Sequence, residues 1–236
     1  MNEDKINKRL KYFQEYIETC EIKNEYVGLG NPLADILLIG KEPSLNINAQ
    51  EHIQKNIRDI KACLLNDDLP CLYVQPKPAK ASHTWNIYQK IIDYTYNRKC
   101  EFKDKTDFCT FAFTTEMNNT VSLRTVSAKQ NFRLNTLKES LFIQDFPVVI
   151  LACSNYIQNI EGNRQINDTF SVKYDLIGGS YTNYSKGNWF YTHHSDDGGK
   201  LVIHTRQLSQ NCKDKLLQDI ASVVSMHLNK LKGRKV

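Results

Sequence analysis

Two short, uninterrupted apolar runs constrain the fold of this chain most strongly. They occupy residues 34–40, with the sequence ADILLIG, and residues 147–153, with the sequence PVVILAC. Apolar runs of this length are typical of strands that are buried on both faces. A sheet built from such strands needs a covering layer on each side, and amphipathic helices usually provide it.

Amphipathic segments alternate with the apolar runs along the chain. Apolar residues recur at helical spacing in segments 5–20, 49–65, 84–96, 127–142 and 213–231. Further strands are predicted at 71–74, 108–115, 170–176, 188–193 and 201–204. The alternation predicts an α/β fold with three α/β/α layers around a short, central, mainly parallel sheet.

We predict a single domain over residues 1–236, with an N-terminal helix within 1–25 and a basic tail at 230–236. A small β excursion is expected near residues 170–193. Hydrophobic residues make up 41% of the chain and charged residues 24%, which excludes a disordered tail, a collagen and a coiled coil.

No membrane or secretory segment is predicted. The longest apolar run, residues 146–153, is far shorter than the roughly 20 residues that span a bilayer, and the first residues precede no apolar stretch. The net charge of +5 permits contact with a polyanion such as DNA without requiring it.

The cysteines indicate a reducing, cytoplasmic location. There are seven of them, an odd number at wide spacings and without a C-x-x-C pair, so zinc ribbons and thioredoxin-like motifs have no support. His193 and His194 are adjacent on a predicted strand and should face opposite sides, so no metal site is predicted there. No cofactor is predicted either.

In mainly parallel sheets, ligands bind at the carboxyl ends of the strands. That rule indicates segments 41–44, 114–118, 154–155 and 205–209. In the first segment Gly40 ends a strand and Pro43 stiffens the turn around Glu42, which suits either a catalytic base or a solvated side chain.

The last segment begins with His204 at a strand end. A histidine there is more often structural than catalytic, but Arg206 and Ser209 add a candidate phosphate clamp. The aromatic residues near the turn at 185–188 suit either a stacking platform for single strands or packing within a hairpin, and packing is favoured. They are Tyr181, Tyr184, Trp189, Phe190 and Tyr191.

Together, two of these motifs resemble the uracil-DNA glycosylase superfamily. Gly40-Lys41-Glu42-Pro43-Ser44 is similar to its G-Q-D-P-Y motif, and residues 30–39 resemble the lead-in of the branch that has G-E-A-P-G. Residues 204–209, HTRQLS, match the H-P-S-P-L-S motif in three of six places. Thr205, Arg206 and Gln207 replace Pro-Ser-Pro.

The resemblance implies a glycosylase fold and hydrolysis of the N-glycosidic bond of uracil or a related damaged base after base flipping. Glu42 would activate water, His204 would hydrogen-bond the leaving base, and Leu208 would wedge into the DNA stack. Expected substrate-binding residues are Lys41, Pro43, Ser44, Thr114, Thr115, Asn118 and Asn155. Expected DNA contacts, to single or double strands, are Arg206, Leu208 and Ser209.

A second hypothesis is a catalytically silent member that binds nucleic acid or a nucleotide and acts as an interaction module. The altered turn after His204 favours this alternative, whereas the carboxylate at Glu42 favours the enzyme.

Overall fold

A mixed β-sheet forms the centre of the molecule, with helices on both of its faces. The structure is a computed structural model that describes residues 3–41, 48–66, 68–73, 75–76, 83–101, 103–118, 133–175, 181–185, 187–209 and 211–233. The helices are α1 (Glu3–Lys23), α2 (Ala49–Leu65), α3 (His83–Tyr96), α4 (Phe108–Phe111), α5 (Leu134–Glu139), α6 (Leu141–Gln144), α7 (Gln165–Phe170) and α8 (Asp214–Gly233).

The strands are short in most of the chain. They are β1 (Leu29–Gly30), β2 (Ile36–Gly40), β3 (Gln75–Pro76), β4 (Lys105–Thr106), β5 (Ala112–Glu116), β6 (Val148–Leu151), β7 (Asn159–Ile160), β8 (Asn163–Arg164), β9 (Lys173–Tyr174), β10 (Tyr181–Ser185), β11 (Asn188–His194) and β12 (Leu201–Thr205). In the described part of the chain, 3-10 turns occupy Leu69–Leu72 and Ser154–Tyr156.

The main sheet has the strand order β1-β5-β2-β6-β12-β11-β10, with β9 beside β11. Strand β2 runs parallel to both β5 and β6, and β6 runs parallel to β12. The remaining pairings in this sheet, those of β1, β9, β10 and β11, are antiparallel. The predicted parallel sheet is therefore its centre, and the predicted β excursion joins the same sheet at one edge.

The two faces of the central strands bury different sets of side chains, because successive residues on a strand point in opposite directions. Leu37, Val149 and Val202 lie in a core with residues of α1, α2, α5, α6 and α7. Leu38 and Ile150 lie in a second core with residues of α3, α4 and α8. Helices on both faces agree with a three-layer α/β arrangement.

Three predicted segments differ from the structure for local reasons. Residues 108–111 form α4 instead of a strand, where the Gln89 side-chain oxygen accepts the backbone N–H groups of Asp107 and Phe108. Ser171, in the left-handed conformation at φ +54°, ends α7 where a strand was expected. Residues 69–72 form a 3-10 turn rather than a strand.

The predicted helix at 127–142 is divided in the part that the structure describes. Ser140 has an extended backbone, and its hydroxyl accepts the N–H of Ile143 at 3.3 Å, so it ends α5 and caps α6. Serine at this position favours the start of a new helix over continuation of the first. Its side chain accepts a backbone N–H of the new helix that has no partner within that helix.

A disulfide between Cys63 and Cys71 joins the end of α2 to the following 3-10 turn. The spacing of eight residues did not predict this pairing. The reducing location predicted from the cysteines stays a prediction. Within the described ranges, no helix has the length and apolar character needed to cross a membrane.

Candidate functional site

The centre of the sheet contains a topological switch point. Strand β2 comes first along the chain among the parallel strands, and the next two, β5 and β6, lie on opposite sides of it. In doubly wound sheets the crevice at such a point, beyond the carboxyl ends of the strands, is where ligands bind. We call this side of the molecule the carboxyl edge; it includes Lys41, Asn118, Ser154 and His204.

Lys41 follows β2 and is 7% exposed. Its ammonium nitrogen lies 4.7 Å from the ring centroid of Tyr156, within the range of a cation–π contact. Burial raises the pKa of the nearby Cys153 thiol to about 12, and the positive charge of Lys41 opposes that rise. Cys153 is therefore a neutral thiol at pH 7.

A backbone hydrogen bond joins Asn118 to Lys41. Its N–H donates to the Lys41 carbonyl at 2.8 Å, which extends the ladder between β2 and β5 beyond the strands. The Asn118 side chain is 2% exposed, yet neither its amide nitrogen nor its amide oxygen has a hydrogen-bond partner among the described residues. Leaving a buried polar group unsatisfied costs about 1–3 kcal/mol, so this amide is suited to a ligand that completes its hydrogen bonds.

His204, on β12, reaches across to the turn after β6. Its Nε2 lies 2.8 Å from the carbonyl oxygen of Ser154, which can only accept, so Nε2 carries the proton. Burial lowers the pKa of His204 to about 4, so the ring is neutral at pH 7. Its Nδ1, buried and without a partner among the described residues, is then an acceptor. Donation to a base oxygen would require His204 to release Ser154.

Ser154 has φ +52°, a left-handed conformation that is uncommon outside glycine. Such residues persist only where surrounding structure holds them, and they concentrate at binding sites. The adjacent Tyr156 is buried beneath the Lys41 ammonium group. Asn118 contacts Lys41 and Lys41 contacts Tyr156, while His204 contacts Ser154, which shares a 3-10 turn with Tyr156.

The two threonines predicted to read a base lie on opposite faces of β5. Thr115 accepts a hydrogen bond from the buried Arg133 at 3.1 Å and is committed to that network. Thr114 is paired in register with Leu38 and is 7% exposed. Of the predicted base-reading residues, Asn118 is therefore the one whose side chain is both buried and unsatisfied.

Predicted DNA-contacting residues occupy the turn after β12. Arg206 and Ser209 are partly exposed, and the Arg206 guanidinium group donates to the carbonyls of Gln207 and Asn211. Leu208 is fully buried in the core on the α3 and α8 face, so a wedging role requires this turn to rearrange. Asn155 is exposed at the carboxyl edge. Glu42, Pro43 and Ser44 lie outside the described residues and stay predictions.

Sequence reasoning missed Tyr156 and Glu116. The carboxylate of Glu116 lies against Gly40, where an added Cβ would displace it. The position of Glu116 at a strand end was the available signal, since the strand-end rule selects the segment that contains it. Tyr156 had no comparable signal, because its role depends on the fold of a 3-10 turn.

A cavity of about 620 Å³ lies at the opposite edge of the sheet, lined by residues that precede β2, β6 and β12, among them Asp35, Pro147 and Lys200. The buried Arg9 and the partly exposed Lys200 of this lining are engaged within the protein. Arg9 donates to the carbonyls of Pro32 and Ala34, and Lys200 donates to Gln144. The carboxyl edge differs, because the buried Asn118 amide and His204 Nδ1 have no hydrogen-bond partner among the described residues.

Over the described ranges, no group of three or more histidine, cysteine or acidic residues is placed to hold a metal ion. Comparison of the chain with family models, with curated proteins and with solved structures finds no match.

Proposed function

We propose that this protein is a DNA base-excision glycosylase that hydrolyses the N-glycosidic bond of uracil or a related damaged base. The observation that supports this proposal is the buried, unsatisfied amide of Asn118, held at the carboxyl edge beside Lys41. The motifs that contain Glu42 and His204 resemble the glycosylase superfamily. The sequence predicts that both motifs lie at the carboxyl ends of strands.

The chemistry of an asparagine amide fits a pyrimidine. Uracil presents a carbonyl acceptor and an N–H donor side by side, and the amide offers a donor and an acceptor in the complementary arrangement. A base reaches such a buried group only after it has left the duplex stack, which costs a few kcal/mol. Two hydrogen bonds to a group that has none from the described residues contribute to recovering that cost.

Bond cleavage leaves positive charge on the sugar and negative charge on the departing base. Lys41 supplies a fixed positive charge at the carboxyl edge, where it stabilises the negative charge that develops on the base. Glu42 supplies the carboxylate that orients water and stabilises the sugar cation. His204, neutral and bonded to Ser154, holds the turns after β6 and β12 together.

The experiment is alkali-induced strand cleavage of uracil-containing oligonucleotides, single-stranded and duplex. The parent should yield product. Asn118→Asp and Glu42→Gln should each lower the rate by about 100-fold, for the loss of one polar contact in the transition state. His204→Ala should also lower the rate, because it releases the turn after β6. Asn163→Asp, in the exposed β7–β8 turn, is the matched control and should react like the parent. No product from the parent, or full activity of Asn118→Asp, would refute the proposal.

One observation favours the alternative of a silent binding module. His204 Nε2 donates to Ser154, so the ring presents an acceptor and not the donor that the leaving base needs. A silent module would bind uracil-containing DNA, lose that binding in Asn118→Asp and release no base. The same oligonucleotides, followed by a binding assay, separate the two functions.

A further inference from the structure

Three aromatic side chains form a row across the antiparallel edge of the sheet. We call Tyr174, Tyr191 and Trp189 the aromatic row. The ring centroids of Tyr174 and Tyr191 are 5.8 Å apart, and those of Tyr191 and Trp189 are 5.4 Å apart. All three are partly exposed, whereas Phe190, between two of them on β11, points to the opposite face and is 3% exposed. Packing within the hairpin explains the burial of Phe190, but it leaves the three rings of the aromatic row partly exposed.

The aromatic row adjoins the carboxyl edge. The His204 ring stacks near Tyr191 with a centroid distance of 6.0 Å and meets the edge of Trp189 at 5.1 Å. Because β11 runs antiparallel to β12, Trp189 lies toward the carboxyl end of β12 and Tyr174 lies toward its start. The row therefore leads along the sheet to His204, which is part of the proposed base site.

Positive charge flanks the aromatic row at both ends. The Arg164 guanidinium carbon lies 4.0 Å from the ring centroid of Tyr174. At the other end, a Cβ added to Gly187 would lie 3.7 Å from Nη1 of Arg206, which places that guanidinium group at the turn preceding Trp189. Guanidinium groups pair with phosphate oxygens, so this arrangement complements a strand whose bases face the rings.

We propose that the aromatic row binds single-stranded DNA, with bases stacked on the rings and phosphates directed toward Arg164 and Arg206. Aromatic rings stack on base faces, which are covered in a duplex and available in a single strand, and such stacking tolerates any sequence. The role of the row in delivering a base to the site at Asn118 rests on the proposed function. Binding of single strands to the row does not.

The two tryptophans of the chain, Trp85 and Trp189, permit a direct test. Trp85 lies on α3 and packs against Phe108 on the other face of the sheet. In Trp85→Phe, Trp189 is the sole tryptophan, and its fluorescence should fall saturably as single-stranded oligodeoxythymidylate of about ten nucleotides is added. In Trp189→Phe, the remaining Trp85 signal should not change. An unaltered Trp189 signal at saturating DNA would overturn the proposal.

Affinity provides a second readout. Tyr174→Leu and Arg164→Gln should each raise the Kd for the same oligonucleotide about 10-fold, whereas Tyr94→Leu, at an exposed tyrosine of α3, should leave it unchanged. Circular dichroism identifies any of these variants that fails to fold. The fluorescence test does not depend on these variants. Equal Kd values for parent, Tyr174→Leu and Arg164→Gln would also overturn the proposal.

The two proposals fail separately. Fluorescence quenching without uracil excision would leave the aromatic row as a DNA-binding surface and refute the glycosylase. Uracil excision without quenching would refute only the binding of DNA by the aromatic row.

Discussion

Two buried histidines, one at the carboxyl edge and one nearer the start of β12, are held in a single protonation state. His204 is 5% exposed and His193 is 0% exposed, and burial lowers the pKa of each to about 4. Both rings are held by carbonyl groups, those of Ser154 and Val202. The fold therefore selects neutral imidazole at two positions on the same side of the sheet.

The low pKa of folded His204 predicts that the free energy of unfolding falls as the pH is lowered. The ordinary pKa of histidine is 6.5, and that of folded His204 is about 4, so between these values the unfolded chain binds the proton and the folded chain does not. The contribution of His204 is fully present above pH 6.5 and declines as the pH falls, by about 3 kcal/mol at pH 4.

His204→Gln keeps an N–H group for Ser154 and does not titrate. Urea unfolding at pH 7 and pH 4 should show a smaller acid loss of unfolding free energy in this variant than in the parent, by up to about 3 kcal/mol. Equal losses would show that His204 is accessible to protons in the folded state.

At the level of elements, a buried ion pair joins α5 to the segment before β1. Arg133 is 1% exposed, and its Nε lies 3.2 Å from Glu25, while its other nitrogens donate to Thr115, to the Glu116 carbonyl and to the Tyr16 hydroxyl. This one side chain thereby ties α1, β5 and α5 together.

Removing one partner of this pair should cost much more than removing both. Arg133→Leu leaves Glu25 buried without a counter-charge, and we expect a loss of about 3–5 kcal/mol of unfolding free energy. Adding Glu25→Leu should restore a substantial part of it. Lys55→Leu, which breaks the exposed pair with Asp59, is the control and should change stability little. A double variant no more stable than Arg133→Leu would contradict this account.

A second prediction at this scale concerns the disulfide between Cys63 and Cys71. Closing so short a loop stabilises a fold by about 2–3 kcal/mol through the unfolded chain. Thiol titration of the denatured, unreduced protein should find five free thiols out of seven cysteines. Cys71→Ser should lower the melting temperature, and Cys100→Ser should not. Seven reactive thiols would show that this bond is not formed.

The sequence predicted the central strands well because uninterrupted apolar runs have few alternatives to a sheet buried on both faces. It also predicted that Lys41, Asn118 and His204 lie at one edge of the sheet, since the carboxyl ends of parallel strands meet. It did not predict α4 or the left-handed Ser154, because these depend on side chains that arrive from distant segments.

For the molecule as a whole, the order of the parallel strands matters more than any single motif. Placing β2 between β5 and β6 brings the ends of three strands together, and β12 adds His204 beside them. A sheet in sequential strand order would have no switch point at this position. The central claim is that the carboxyl edge holds a nucleobase through Asn118.

The most direct measurement is a titration of the ¹⁵N-labelled protein with free uracil, followed through the side-chain amide signals. The Asn118 signals are assigned by their disappearance in Asn118→Asp. The account predicts that uracil shifts both Asn118 amide protons saturably, because the base completes hydrogen bonds that the protein leaves open. Asn118 signals that stay unchanged at a large excess of uracil would contradict it.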